Sequence, residues 1–190
     1  MKYSDYNIIP IGDHCCISMI LDNLKIRKSS YPFDWTSHTD HIHDTNLIHN
    51  TNLIKELTED NIDECVSTYI GDAFNNESLT NSKTKMWFPH DKEKDSNEKY
   101  KRRFDRLYQH LNDHKNLFIL VTRHYYINPE TFDNIMNILL SYNSDNQIIF
   151  ISGTDHPYLI NDTTTDKLNK YENVRFKYIH YDLSKFYNYD

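Results

Sequence analysis

Glycine is nearly missing from this chain of 190 residues: there are three, Gly12, Gly71 and Gly153. A dinucleotide fingerprint or a phosphate loop needs several together, so both are excluded. Cysteine is scarce as well, with three residues, two of them adjacent (Cys15 and Cys16). Three thiols cannot all pair within one chain. A disulfide scaffold is therefore not expected, and a reducing, cytoplasmic compartment is. No apolar run approaches the roughly 20 residues needed to cross a bilayer. The opening MKYSDYNIIPIGDH holds too short an apolar stretch for a signal peptide. Basic excess is also lacking: 21 Lys and Arg stand against 28 Asp and Glu, a net charge of −7. Such a balance argues against nucleic-acid binding. Alanine occurs once, at Ala73, while Asn, Lys, Tyr, Ile and Asp abound. An AT-rich genome produces that bias, which points to a large DNA virus, a protist or a low-GC bacterium. In the viral case the compartment is the host cytoplasm.

What is present is ample core material: 15 Tyr, nine Phe and two Trp. The length suits one domain, 1–190. Residues 5–11 read as a short buried strand, followed by Gly12 and a helix whose apolar pattern runs through Cys16, Met19, Ile20 and Leu24. Residues 28–36, KSSYPFDWT, read as an ordered loop. From Ser37 to Leu57 the spacing of Ile42, Leu47, Ile48, Leu53, Ile54 and Leu57 predicts one or two helices, with Thr36 or Ser37 as cap. Residues 71–98 are polar, with MWFPH as a candidate strand inside a long excursion. Residues 98–114 predict an amphipathic helix with a basic face. Strands are predicted at 117–122, 147–152 and 174–180, with a helix over 129–142 opened by Pro129. Short apolar strands alternating with helices imply parallel pairing. The expected fold is therefore α/β: a Rossmann-like three-layer sandwich with a mainly parallel sheet and a helical insertion, roughly 37–97, after the first βα unit. In such a sheet the site lies at the carboxyl ends of the strands. Segments 12–16, 122–126, 153–158 and 180–182 should then converge.

Four groups of residues carry candidate chemistry. Gly12-Asp13-His14-Cys15-Cys16 sits where a strand hands over to a helix, and the N–H groups and dipole there would stabilise a thiolate. The plain alternative is a pair of small core cysteines. A phosphatase loop is excluded, because Leu21 and Asp22 occupy the positions where its Arg would fall. Trp87-Phe88-Pro89-His90-Asp91 offers His90 as a general base, or else a surface histidine. His38, His41 and His43 with Asp40 and Asp44 have the density of a metal site but not its spacing, so a solvated helix face is expected and no metal. Arg102, Arg103 and Arg106 form a basic stripe. It is a solvated face, an anion site, or a clamp on the acidic PFDW loop. Arg123-His124 and Asp155-His156 follow buried strands where the site should lie.

Taken in order, these residues resemble the DUF1796 family, described as papain-like cysteine peptidases. The resemblance rests on Ile11-Gly12-Asp13-His14-Cys15, the run Arg27 to Trp35 with its Pro-Phe-Asp-Trp motif, Phe88-Pro89-His90-Asp91, and Tyr100-Lys101-Arg102-Arg103. It spans residues 7–123. The resemblance implies a Cys15 thiolate as nucleophile, His90 as base and then acid, and Asp34 or Asp91 orienting the imidazole. Amides at the start of the helix would hold the oxyanion. His14 is a rival base, and His14, Trp35, Arg102, Arg103 and Arg123 are candidate substrate contacts. Asp34 has a second possible use, holding backbone N–H groups within its own turn. A papain-like enzyme places its His on an antiparallel lobe, whereas the strand pattern implies a parallel sheet.

Two functional classes of enzyme follow, with a third reading beside them. One is a cysteine-dependent hydrolase or acyl transferase acting on a peptide or acyl substrate. The second is a glycan or nucleotide-sugar enzyme in which Cys15 is structural and the arginines bind anions. The third is a non-enzymatic viral binding protein. None calls for a cofactor.

Overall fold

The computed structural model describes residues 3–12, 16–38, 45–71, 74–75, 78–81, 84, 86–88, 96–123, 129–154 and 171–180. Along the chain come β1 (Asn7–Gly12), α1 (Cys16–Asn23), β2 (Ser37–His38), α2 (Thr45–Glu56), α3 (Ile62–Ile70), β3 (Phe74–Asn75), β4 (Ser78–Thr80) and β5 (Met86–Phe88). They are followed by α4 (Ser96–Asp113), β6 (Asn116–Arg123), α5 (Pro129–Ser141), β7 (Gln147–Thr154) and β8 (Val174–His180). No helix among the described residues is long and apolar enough to cross a membrane.

The chain is a mixed α/β protein. Strands β1, β6, β7 and β8 form one sheet in that order, and all three pairings are parallel. Their sequences explain the choice. NLFILVTR and QIIFISGT are runs of β-branched and large apolar residues with no polar face, which only a sheet covered on both sides accommodates. Pro10 lacks an N–H and lies in β1, an edge strand among the described residues, where proline is tolerated. Register then sorts the side chains. Ile9, Ile11, Phe118, Leu120, Ile148, Phe150 and Val174 join the core formed with α2, α3, α4 and α5. Ile8, Leu117 and Ile119 join a smaller core with Ile17 and Leu21 of α1. Each step from β1 through β6 and β7 to β8 advances in one direction. Among the described helices, α2, α3, α4 and α5 share the core on one face and α1 packs on the other. The parallel sheet also brings Gly12, Arg123, Thr154 and His180 to the same end.

A second, antiparallel sheet in the order β2-β5-β4-β3 occupies the excursion. MWF is a strand as its pattern indicates, but its neighbours are too short and polar to announce themselves. The helix predicted from Ser37 begins at Thr45 instead. Ser37 and His38 are strand residues paired with Trp87 and Met86, so His38 belongs to no helix face. Thr36 caps nothing: its hydroxyl donates to Phe33 O at 3.1 Å. Helix α3 ends at Gly71, which has a φ of 69°. A Cβ there would lie 2.7 Å from Asn81 Cγ, because the Asn81 amide closes the helix end by donating to Thr68 O and Tyr69 O.

Helix α1 departs from its predicted face. Ile17, Ser18 and Leu21 are buried, while Met19, Ile20 and Leu24 are 41%, 53% and 61% exposed. Positions 17 and 21 share one face, and the sheet selects it. The helix closes with a Schellman motif: Ile26 N donates to Leu21 O, Lys25 N donates to Asp22 O, and Leu21 and Ile26 share a core. The left-handed position of this motif normally takes glycine but here is Lys25, at φ 56°. Lys25→Gly removes the steric cost of that conformation. It should stabilise the chain by about 0.5–1 kcal/mol after the entropy of the unfolded glycine is counted. Urea unfolding at neutral pH measures it, and an unchanged or lower midpoint would contradict the cap.

Candidate active site

The Pro-Phe-Asp-Trp loop is built around one carboxylate. Asp34 is completely buried. Its Oδ1 accepts from Ser18 Oγ at 2.9 Å. Its Oδ2 accepts from Arg27 Nη2 at 2.6 Å and from the Tyr31 backbone N–H at 2.8 Å. A buried charge needs this degree of pairing to persist. Arg27 in turn reaches Asp22 and Ser30 and lies 5.5 Å from the Trp35 ring centre. Burial opposes its charge, but Asp34 and Asp22 more than offset that and raise its pKa. Trp35 has a φ of 62°, a strained conformation for a bulky residue. The loop therefore uses Asp34 as its backbone anchor, and through Ser18 that anchor extends to α1. Ser18 and Arg27 escaped the sequence analysis. The signal for Ser18 was its place three residues after Cys15, and for Arg27 its place at the head of the matching run.

Beyond the loop, Tyr69 of α3 is an aromatic hub. Its ring centre lies 5.8 Å from Phe33, 5.4 Å from Phe88, 5.8 Å from Tyr100 and 5.6 Å from Phe104. Phe33, Phe88 and Tyr100 belong to three separate stretches of the resemblance, so these stretches meet in one core. Edge-to-face packing at such distances is favourable beyond simple burial. Phe88 is fully buried at the end of β5, and the chain leaves it toward Pro89 and His90. The one sequence signal for Tyr69 is the apolar spacing of α3, Ile62, Cys65, Val66, Tyr69 and Ile70.

The basic stripe of α4 divides into different roles. Arg102 is exposed. Arg103 is buried. Arg106 donates to Ser30 O at 2.5 Å and clamps the helix to the loop. Lys101 pairs with Asp63 of α3. Arg123 ends β6 at the carboxyl edge of the sheet. Cys15, His14, His90 and Asp91 lie outside the described residues, as do Asp40, His41, His43, Asp44, His124, Asp155 and His156. Cys15 follows the end of β1 and immediately precedes the first residue of α1. Among the described residues no group of three His, Cys, Asp or Glu is placed to hold a metal ion. The third thiol, Cys65, is buried, and desolvation with Glu64 and Glu56 pushes its pKa up.

At the other end of α4, Tyr31 and His110 Nδ1 share a 2.8 Å hydrogen bond. Burial pushes the Tyr31 pKa up, so the phenol keeps its proton and donates. Nδ1 therefore accepts, and the neutral His110 ring carries its proton on Nε2.

The family described as "Putative papain-like cysteine peptidase (DUF1796)" matches this chain over residues 6–148. No curated protein and no solved structure matches it.

The histidine yields a prediction. His110 is held below its ordinary value of 6.5 by burial first, then by His114 and Arg106, with Asp113 opposing. A depressed histidine binds fewer protons in the folded than in the unfolded chain as pH falls below 6.5. Its contribution to stability is present above that pH and is lost as pH falls through the folded value. Urea unfolding between pH 7.5 and about 5 should show a loss that is smaller in His110→Gln. Parallel profiles for the two proteins would contradict this.

Proposed function

The chain belongs to the DUF1796 family, and on that footing we propose that it is a cysteine-dependent hydrolase or acyl transferase of the peptidase type. The observation that carries the proposal is the meeting of Phe33, Phe88 and Tyr100 on Tyr69. These rings bring the loop of Asp34, strand β5 and helix α4 to one core, with His90 two residues beyond Phe88 in the chain, while Ser18 ties the same loop to the helix that follows Cys15. We read residues 1–190 as one domain with a Rossmann-like three-layer arrangement. The parallel strand order and the apolar clusters on both sheet faces support this.

In the proposed reaction, Cys15 at the start of α1 is the nucleophile. The free N–H groups and dipole of the helix N-terminus lower the cost of its thiolate. The sulfur attacks a substrate carbonyl carbon, forming a C–S bond and an oxyanion that the same amides stabilise. His90, as imidazolium, gives its proton to the leaving group as the acyl bond to it breaks. It then takes a proton from the water or acceptor that cleaves the thioester. Asp34 serves as a positioning residue, since its oxygens already accept from Ser18, Arg27 and Tyr31. Asp91 is the better candidate to orient His90. His14, Trp35 and Arg123 are kept as candidate substrate contacts. Trp35 is half-buried under Arg27, and Arg123 stands at the carboxyl end of β6.

The parallel sheet β1-β6-β7-β8 that precedes Cys15 supports one second reading, a glycan or nucleotide-sugar enzyme with a structural Cys15, whereas the antiparallel β5, two residues before His90 in the chain, accords with the peptidase reading. The pH dependence of iodoacetamide labelling, mapped by peptide, separates the two. A nucleophilic Cys15 labels rapidly below pH 7, more slowly in His90→Ala, and well ahead of buried Cys65. Labelling that rises only near the ordinary thiol value of about 8.5, or only on unfolding, would reject the cysteine mechanism.

A further inference from the structure

Helix α4 carries a charge that its surroundings leave unbalanced. Arg103 is 6% exposed, and its Nη1 has no hydrogen-bond partner. Its guanidinium lies 5.1 Å from the centre of the Tyr100 ring. Among the described residues it makes no ion pair. Asp34 is the one carboxylate among the described buried residues, and Arg27 already pairs with it at 2.6 Å. Arg27 also pairs with the half-exposed Asp22, so both described carboxylates near the loop are taken by Arg27 and neither is paired with Arg103. An arginine cannot shed its proton to escape that situation, and a buried unpaired charge is strongly disfavoured. The Tyr69 hydroxyl is likewise buried without a hydrogen-bond partner. Burial pushes its pKa up, with Thr36 and the nearby Arg103 opposing, so the phenol keeps its proton and remains a donor. Lys99, one helical turn before Arg103, has its ammonium pushed down to about 8 by burial and by that same guanidinium.

Position gives the charge a purpose. Helix α4 shares a core with β6 through Phe104, Leu107, Leu111, Phe118 and Leu120, and it enters β6 by a short turn. From Asp113 back to Arg103 the helix rises about 15 Å. From Asn116 forward to Val121 the strand advances about 17 Å. A helix that turns back into β6 over two residues runs roughly against it, which would set Arg103 toward the end of the sheet where Val121 pairs with Gly12. That is the end of the sheet from which the chain continues to Cys15.

We propose that Arg103 anchors an oxyanion-binding subsite, with the Tyr69 hydroxyl as a second donor, and that the group it takes is a carboxylate or phosphoryl group of the substrate. The guanidinium fork matches either group. The assignment to the substrate rests on the cysteine reading above, whereas the anion subsite itself does not.

The test uses the full chain carrying Cys15→Ser, so that binding is read without turnover. The probes are inorganic phosphate, acetate, and an N-acetylated dipeptide as its free acid and as its C-terminal amide. Calorimetry gives affinity, and the ¹⁵N resonance of the buried guanidinium reports contact. At least one oxyanion should bind and move that resonance. Its affinity should fall tenfold or more in Arg103→Gln, fall less in Arg103→Lys, and stay unchanged in the charge-matched surface variant Arg175→Gln. Binding of acetate and the free-acid dipeptide, but not the amide, identifies a carboxylate. Binding of phosphate alone identifies a phosphoryl group. Absence of any oxyanion effect, or binding that survives Arg103→Gln, overturns the subsite. Should Arg103→Gln fail to fold, the resonance in the chain with Arg103 intact decides. Oxyanion binding beside a Cys15 of ordinary reactivity would keep the subsite and reject the cysteine mechanism, and the converse result would do the reverse.

Discussion

A single buried carboxylate organises this half of the molecule. Asp34 is removed from water entirely and accepts from three donors of different origin: a helix side chain (Ser18), a loop guanidinium (Arg27) and a backbone N–H (Tyr31). Each donor would be poorly satisfied without it, and the carboxylate could not be buried without them. The loop is thereby fixed to α1 on one side of the sheet. On the other side Arg106 and the Tyr31–His110 pair fix it to α4. Whatever chemistry occurs just before α1 inherits its alignment from this arrangement.

The aromatic hub supplies what the carboxylate cannot. Tyr69 packs against rings from the loop, from β5 and from α4. These elements lie far apart in the chain and share no regular sheet with one another. Dispersion and edge-to-face contacts hold them without hydrogen-bond directionality. Shape decides the arrangement, and loss of one ring would loosen its neighbours. The polar anchor and the apolar hub meet at adjacent residues, Asp34 and Phe33. A short motif can thus organise two cores.

The long strands were legible because a parallel sheet demands uninterrupted apolar runs, which few other structures require. β8 begins and ends where its alternation indicates, and α5 opens at Pro129 as expected. The face of α1 was not legible. Apolar residues occur all around that helix, and only the sheet chooses Ile17 and Leu21 over Met19, Ile20 and Leu24. The small antiparallel sheet escaped notice because strands of two or three polar residues carry no periodicity. Its pairing accompanies the burial of Met86 and Phe88. In the site, the alternative use of Asp34, holding an N–H within its own turn, is what Tyr31 displays. The arginine stripe could not be resolved from spacing, since adjacent Arg102 and Arg103 look alike in sequence and differ only in which one the core accepts.

Asp34 couples the loop to the helix after Cys15 through Ser18. The most direct measurement is a double-mutant cycle on Ser18→Ala and Asp34→Asn, read as unfolding free energies in urea. A genuine buried link predicts a coupling energy of about 1–3 kcal/mol. Additivity within about 0.5 kcal/mol would instead show that helix and loop are held independently.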